Sequence, residues 1–197
     1  MGKYKVMNTQ TMLISVSTVM ALISPLVYAT AILRGEAIPH RTTRIILLVN
    51  TILATSSLYA QADKVAIWLA GVSTIQAIFI FFLSLKYGTG GWAKLDLTCL
   101  GIAILGMILW RSTSDPRIAL YAAIVSDFVG MVPTIVKTYK YPKSEIWQFF
   151  TIDTFVGLLS LLAVSKWSWA TASYPAYVML INALVAMLVV RPKVDSK

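Results

Sequence analysis

Five amide and carboxyl side chains, Asn50, Gln76, Asp127, Asp153 and Asn182, fall inside otherwise apolar runs of the chain. Withdrawing such groups from water is costly, so polar residues within an apolar span are functional candidates by default. The chemistry open to them is recognition. Carboxylates and amides that converge can hold a polar or cationic solute by hydrogen bonds, and a carboxyl can also exchange a proton. Asp127 is the leading candidate. Asp153 and Asn50 follow as a pair, and Gln76 and Asn182 complete the substrate-binding set, although each reads slightly better as interhelical glue. Asp96 follows Gly90-Gly91-Trp92 and is expected to complement a helix N-terminus.

Asp127 and Asp153 could instead form an aspartyl dyad for intramembrane proteolysis. Their flanks, Ser126-Asp127-Phe128 and Ile152-Asp153-Thr154, lack the Tyr-Asp and Gly-x-Gly-Asp signatures of that chemistry. His40 is the only histidine and Cys99 the only cysteine, which argues against histidine metal centres, Ser-His-Asp triads and an internal disulfide. No enzyme, catalytic residue, metal or cofactor is expected.

These side chains need elements to position them. Of the 197 residues 58% are hydrophobic and only 13% charged, and mean hydropathy is +0.76. That composition belongs to a multi-pass membrane protein forming a single domain over residues 1–197. Seventeen Lys and Arg stand against eight Asp and Glu, but they are spread over every loop rather than gathered on one face, so nucleic acid is not expected as a partner. Apolar runs of about 17–25 residues predict seven transmembrane helices: Thr11–Leu33, Thr42–Ala60, Val65–Lys86, Trp92–Trp110, Arg117–Tyr139, Glu145–Val164 and Ala170–Val190. Helices satisfy their backbone internally, as lipid requires. All six tryptophans fall at or near segment ends, where amphipathic rings settle at the headgroup level. The first run is expected to remain uncleaved, being too long for a signal-peptide core.

Six Lys and Arg fall on the side that carries the N-terminus and eleven on the other. The richer side is expected to be cytoplasmic, with the N-terminus outside. With a rise of about 1.5 Å per residue, the five polar residues lie roughly 10–18 Å from that side, in one layer near the midplane.

The chain also repeats itself. A stretch from Pro25 through Tyr28, Arg34 and Pro39 into Asn50 returns from Pro133 through Lys137, Lys140 and Pro142 into Asp153. Aligning Asn50 with Asp153 aligns Pro39 with Pro142, and the first copy has a longer loop. Each copy opens a block of three segments, 11–86 and 117–190, with a linker segment at 92–110 between them. An odd block inverts topology, so the linker restores the same orientation to both, giving parallel three-helix repeats in a three-plus-one-plus-three order. Pro25 and Pro133 are hinge candidates at equivalent places; Pro175 has no counterpart.

The run Pro133-Thr134-Ile135-Val136-Lys137-Thr138-Tyr139-Lys140, followed by Lys143-Ser144, is similar to the Pro-Gln, basic or aromatic, Lys-Ser pattern of the SWEET / PQ-loop (transporter-opsin-like) superfamily. The chain thus resembles that superfamily, including its vitamin-transporting relatives of the nicotinamide-riboside type. It departs from the pattern at Thr134 and Leu26, where Gln is usual. The resemblance implies a uniporter or proton-coupled transporter for a small polar solute such as a sugar, a vitamin or an amino-acid-like metabolite. Its two bundles would rock about Pro25 and Pro133. The alternative it carries is a non-transporting receptor or sorting protein of the same architecture, as the KDEL receptor illustrates. Membrane lipids are expected partners, and an oligomer is possible but not required. A retinal protein would need a lysine in the last segment, which has none.

Overall fold

The computed structural model describes residues 9–60, 64–113, 116–165 and 167–192. Among them it is all-helical, without a named strand: α1 Thr9–Leu33, α2 Arg41–Ala60, α3 Lys64–Tyr87, α4 Lys94–Ser112, α5 Pro116–Lys140, α6 Trp147–Leu162 and α7 Trp169–Val190, with a single 3-10 turn at Pro142–Ser144. Lys3, Lys5, Lys166, Lys193 and Lys197, used above to orient the chain, lie outside the described residues, as do the side chains of Lys64, Trp68, Trp110 and Arg117. Three stretches are long and apolar enough to cross a membrane by length and composition: Thr9–Leu33, Leu120–Lys140 and Thr171–Val190. Ser73–Tyr87 and Trp147–Leu162 are shorter apolar helices. The sixth helix starts two residues later than the sequence suggests, because Pro142 sets up the 3-10 turn and Glu145 is extended.

Local chemistry marks the helix ends. Gly35 at φ 73 lets Glu36 N–H bond Ala31 O at 2.9 Å, a left-handed exit that stops α1. Asp96 accepts from Gly91 N at 2.8 Å and Ala93 N at 3.1 Å, answering orphan donors ahead of α4. At α7, Ser168 Oγ accepts from Thr171 N while Thr171 Oγ1 accepts from Ser168 N, a reciprocal cap. Trp92, Trp147, Trp167 and Trp169 sit at the starts of α4, α6 and α7 and are all exposed.

The packing follows a rule of exchange. α2 packs on α3 as α6 packs on α7, α1 on α3 as α5 on α7, and α1 on α6 as α5 on α2, while α4 touches only α5 and α2. The principal core joins Tyr28, Ile32, Ile80, Met131, Phe149, Phe150, Ile181 and Val185, so α1, α3, α5, α6 and α7 meet at the end of the molecule that carries the 34–40 and 141–146 loops. The outward faces are apolar instead of charged. Val19, Leu26, Ile75, Phe82, Leu105, Leu109, Leu180 and Met187 are each more than half exposed, a continuous greasy surface of the kind a water-soluble monomer avoids.

Close helix contact depends on small residues. A Cβ on Gly157 would stand 2.5 Å from Met179 N and 2.8 Å from its Cα, so α6 and α7 approach backbone to backbone. Gly101 has open space around it. Gly157→Ala should therefore force α6 from α7 and cost about 1–3 kcal/mol, lowering the thermal unfolding midpoint in detergent, whereas Gly101→Ala should leave it unchanged or slightly raised.

Candidate functional site

A cavity of about 600 Å³ lies among six of the seven helices. α1 contributes Ala21 and Pro25; α2 contributes Arg44, Leu47, Asn50 and Thr51; α3 contributes Ser73, Gln76, Ala77 and Ile80. Leu120, Ala123 and Asp127 come from α5, Phe149 and Asp153 from α6, and Tyr174 from α7. Arg44, Phe149 and Ile80, each under one-tenth exposed, form its floor. From there it rises along α2 and α3 to Thr51 and Ser73, away from the end that holds the core.

The sequence candidates separate on this geometry. Asn50, Gln76, Asp127 and Asp153 all line the cavity, as does Pro25. Asn182 does not; its amide donates to Val178 O of its own helix at 2.9 Å. Pro133 is fully buried and borders a different cavity. Gln76 lines the cavity while its Nε2 donates to Leu22 O on α1 at 2.8 Å, the interhelical glue expected of it. Asn50 Oδ1 accepts from Ser126 Oγ at 3.3 Å, which ties α2 to α5.

Asp127 accepts a hydrogen bond from Tyr177 Oη at 2.5 Å. Asp153 stands instead beside Ser24 and Arg44. The two carboxylates thus have different neighbours. Tyr174 and Tyr177, three residues apart on α7, bring one ring to the cavity wall and one hydroxyl to Asp127. Sequence reasoning missed both tyrosines, although their spacing around Pro175 puts them on one helix face.

Arg44 is the other omission. It reads as a loop cation but is only 7% exposed, with its guanidinium 4.3 Å from the Tyr28 ring centroid and 5.6 Å from that of Phe149. Tyr28 and Phe149 are themselves stacked, with centroids 4.4 Å apart. A guanidinium over a buried aromatic pair is a desolvated cation–π contact.

Below that stack the end of the molecule is sealed. Tyr28 Oη donates to Glu145 Oε1 at 3.1 Å and Lys137 Nζ to the same oxygen at 2.6 Å. The Lys137 ammonium also donates to Ile38 O. Their side chains are 6% and 0% exposed. Thr134, at the usual Gln position of the motif, is buried and donates to Thr43 Oγ1 at 2.9 Å. Ile38 N donates to Ser144 O at 2.8 Å, so the 34–40 and 141–146 loops are stitched together by backbone. Alongside, Thr89 N reaches Pro39 O at 2.9 Å and Arg41 N reaches Thr89 O at 3.0 Å. Gly88 is required here, since a Cβ would meet Ser84 O at 2.2 Å and Pro39 O at 2.7 Å.

No group of three or more metal-ligating side chains forms among the described residues. Asp96 serves its helix start as expected and also faces His40 Nε2 at 3.5 Å. Burial lowers the affinity of His40 for a second proton; Asp96 opposes that effect, while Lys137, Arg44 and Arg41 reinforce it.

Two outcomes follow for the sealed end. Glu145→Gln leaves the Lys137 ammonium buried without its counter-charge and should destabilise the fold by about 3–5 kcal/mol, with Lys137→Met in the same chain recovering much of the loss; thermal unfolding in detergent measures both. The native state binds a proton at His40 less readily than the unfolded chain does. Stability from this site is therefore complete above the ordinary value of 6.5 and falls as pH drops below it. Comparing unfolding midpoints at about pH 7.5 and about pH 5 should show a decrease that is smaller in His40→Asn.

No protein-family model, curated protein or solved structure matches the chain.

Proposed function

We propose that this protein is a carrier for a small polar solute, built on the SWEET / PQ-loop plan. Its seven helices act as membrane spans in a three-plus-one-plus-three order, with α1–α3 (11–86) and α5–α7 (117–190) as parallel repeats and α4 (92–110) as the linker. The observation that carries this reading is the cavity. It draws polar side chains from both halves, Asn50 and Gln76 from one and Asp127 and Asp153 from the other, and α4 contributes nothing to it. The helix contacts support the repeat, because exchanging α1, α2 and α3 for α5, α6 and α7 maps each intra- and inter-half pairing onto another. A solute site at the interface of two repeats is the usual consequence of that symmetry.

The floor of Arg44, Phe149 and Ile80 lies on the side richer in Lys and Arg, which the positive-inside bias makes cytoplasmic. The cavity is then closed toward the cytoplasm, and transport requires the two bundles to part there, with Pro25 and Pro133 providing weak points in the first helix of each. Carboxylates from Asp127 and Asp153 and a guanidinium from Arg44 put both signs of charge around the same space. That suits a neutral polar or zwitterionic solute of sugar, vitamin or amino-acid size. Proton coupling would enter through Asp127 or Asp153. The different neighbours of these two carboxylates weigh against a shared-proton catalytic dyad.

Flux into proteoliposomes, measured across a panel of radiolabelled sugars, vitamins and amino acids, tests the reading. Wild-type protein should import at least one, and Asp127→Asn and Asp153→Asn should each reduce that uptake by about tenfold or more, the loss expected for one charge-assisted contact of 1.5–3 kcal/mol. Retention of full uptake and unchanged pH dependence by both variants would place the site elsewhere. A solute that binds but never crosses would replace the carrier with a receptor.

A further inference from the structure

A second cavity, of about 620 Å³, opens beside the sealed end, between the start of α4 and the 133–144 stretch. Its ionisable lining includes His40, Asp96, Lys137, Lys140 and Lys143, with Ser144 beside them. Two of these charges are already answered. Lys137 is paired with Glu145, and Asp96 is held by the Gly91 and Ala93 amides and faces His40. Lys140 and Lys143 are exposed, and no carboxylate pairs with either among the described residues. The cavity is left with an unbalanced double positive charge.

Ser144 Oγ and His40 Nδ1 in the same wall lack a partner but have almost no accessible surface, so an occupant of the cavity meets Lys140 and Lys143 instead. It must therefore supply an anionic group to them.

The position points to where such a molecule comes from. α4 packs only on α5 and α2, so its side of the cavity lies at the rim of the bundle. Tyr141, 66% exposed, lines the cavity, and Trp92, 86% exposed, lies in the chain between the lining residues Gly90 and Ala93; exposed aromatics of this kind settle at headgroup depth. Basic pockets between helices on this side of a membrane bind anionic headgroups.

We propose that this cavity binds the phosphate of an anionic lipid headgroup, held by Lys140 and Lys143. The site is separate from the central cavity and stands whether or not the protein transports a solute.

Native mass spectrometry on the full chain in detergent, with phosphatidylglycerol and phosphatidylcholine offered together, tests it. Wild-type protein should retain one phosphatidylglycerol in preference to phosphatidylcholine by roughly tenfold or more, given about fivefold for each lysine near the phosphate. Lys140→Gln with Lys143→Gln should abolish that preference. Lys86→Gln with Lys94→Gln, which removes two cations of the same face outside the cavity, should keep it. Displacement of the lipid by soluble glycerol phosphate would identify the phosphate group alone as the ligand, and resistance to displacement would identify the membrane lipid; either supports the site. Absence of a preference, or an equal loss in the Lys86 and Lys94 pair, overturns it.

Discussion

The buried contact between Lys137 and Glu145 is the constraint on which the rest of the structure depends. Lys137 comes from α5 and Glu145 from the extended residue just after the 3-10 turn, and their 2.6 Å contact fixes how the 141–146 loop returns to the bundle. Glu145 also receives Tyr28 from α1, and Lys137 also reaches the carbonyl of Ile38 in the first loop. One buried ion pair thereby joins both halves of the chain. An interior pair of this kind contributes little net stability over an apolar pair of the same size, but breaking it by removing one member is severe. It defines one arrangement of the loops more than it adds stability to it.

The central cavity exists because of what stands on that pair. With Tyr28 held at its hydroxyl, its ring stacks on Phe149 and carries Arg44 above it. That plug of two rings and a guanidinium lies at the base of the cavity that Asp153, Asn50 and Asp127 also line. Any opening toward this end must unstack the rings, release Tyr28 from Glu145 and part the Ile38–Ser144 backbone bond together. A plug assembled from several mutually dependent contacts switches between two states more readily than it deforms gradually.

The proposed repeat would place a site between the two halves, and its departures from symmetry would set the chemistry there. Asn50 and Asp153 take equivalent registers in that repeat, yet one is an amide tied to Ser126 and the other a carboxyl beside Arg44 and Ser24. Tyr177, opposite Asp127, lies on the third helix of its half, where the first half places Gln76 against α1. The second cavity is asymmetric for a simpler reason. It needs α4, which has no counterpart, and Lys140 and Lys143, which flank the shorter of the two loops.

The sequence determined the helical class and most helix boundaries and picked out four of the polar residues that line the cavity, because hydropathy, proline spacing and isolated polar side chains are local signals. It misread Asn182, whose amide closes on the backbone four residues earlier, since polarity in an apolar run does not say which way a side chain turns. Arg44 and Lys137 counted as loop cations in the charge bias, and Tyr174 and Tyr177 passed unnoticed among apolar neighbours. Only the tertiary structure could bury those cations, because Phe149 reaches Arg44 and the Ile38 carbonyl reaches Lys137 from about 100 residues away, and even the nearer Tyr28 and Glu145 are set against them by packing that no local pattern encodes.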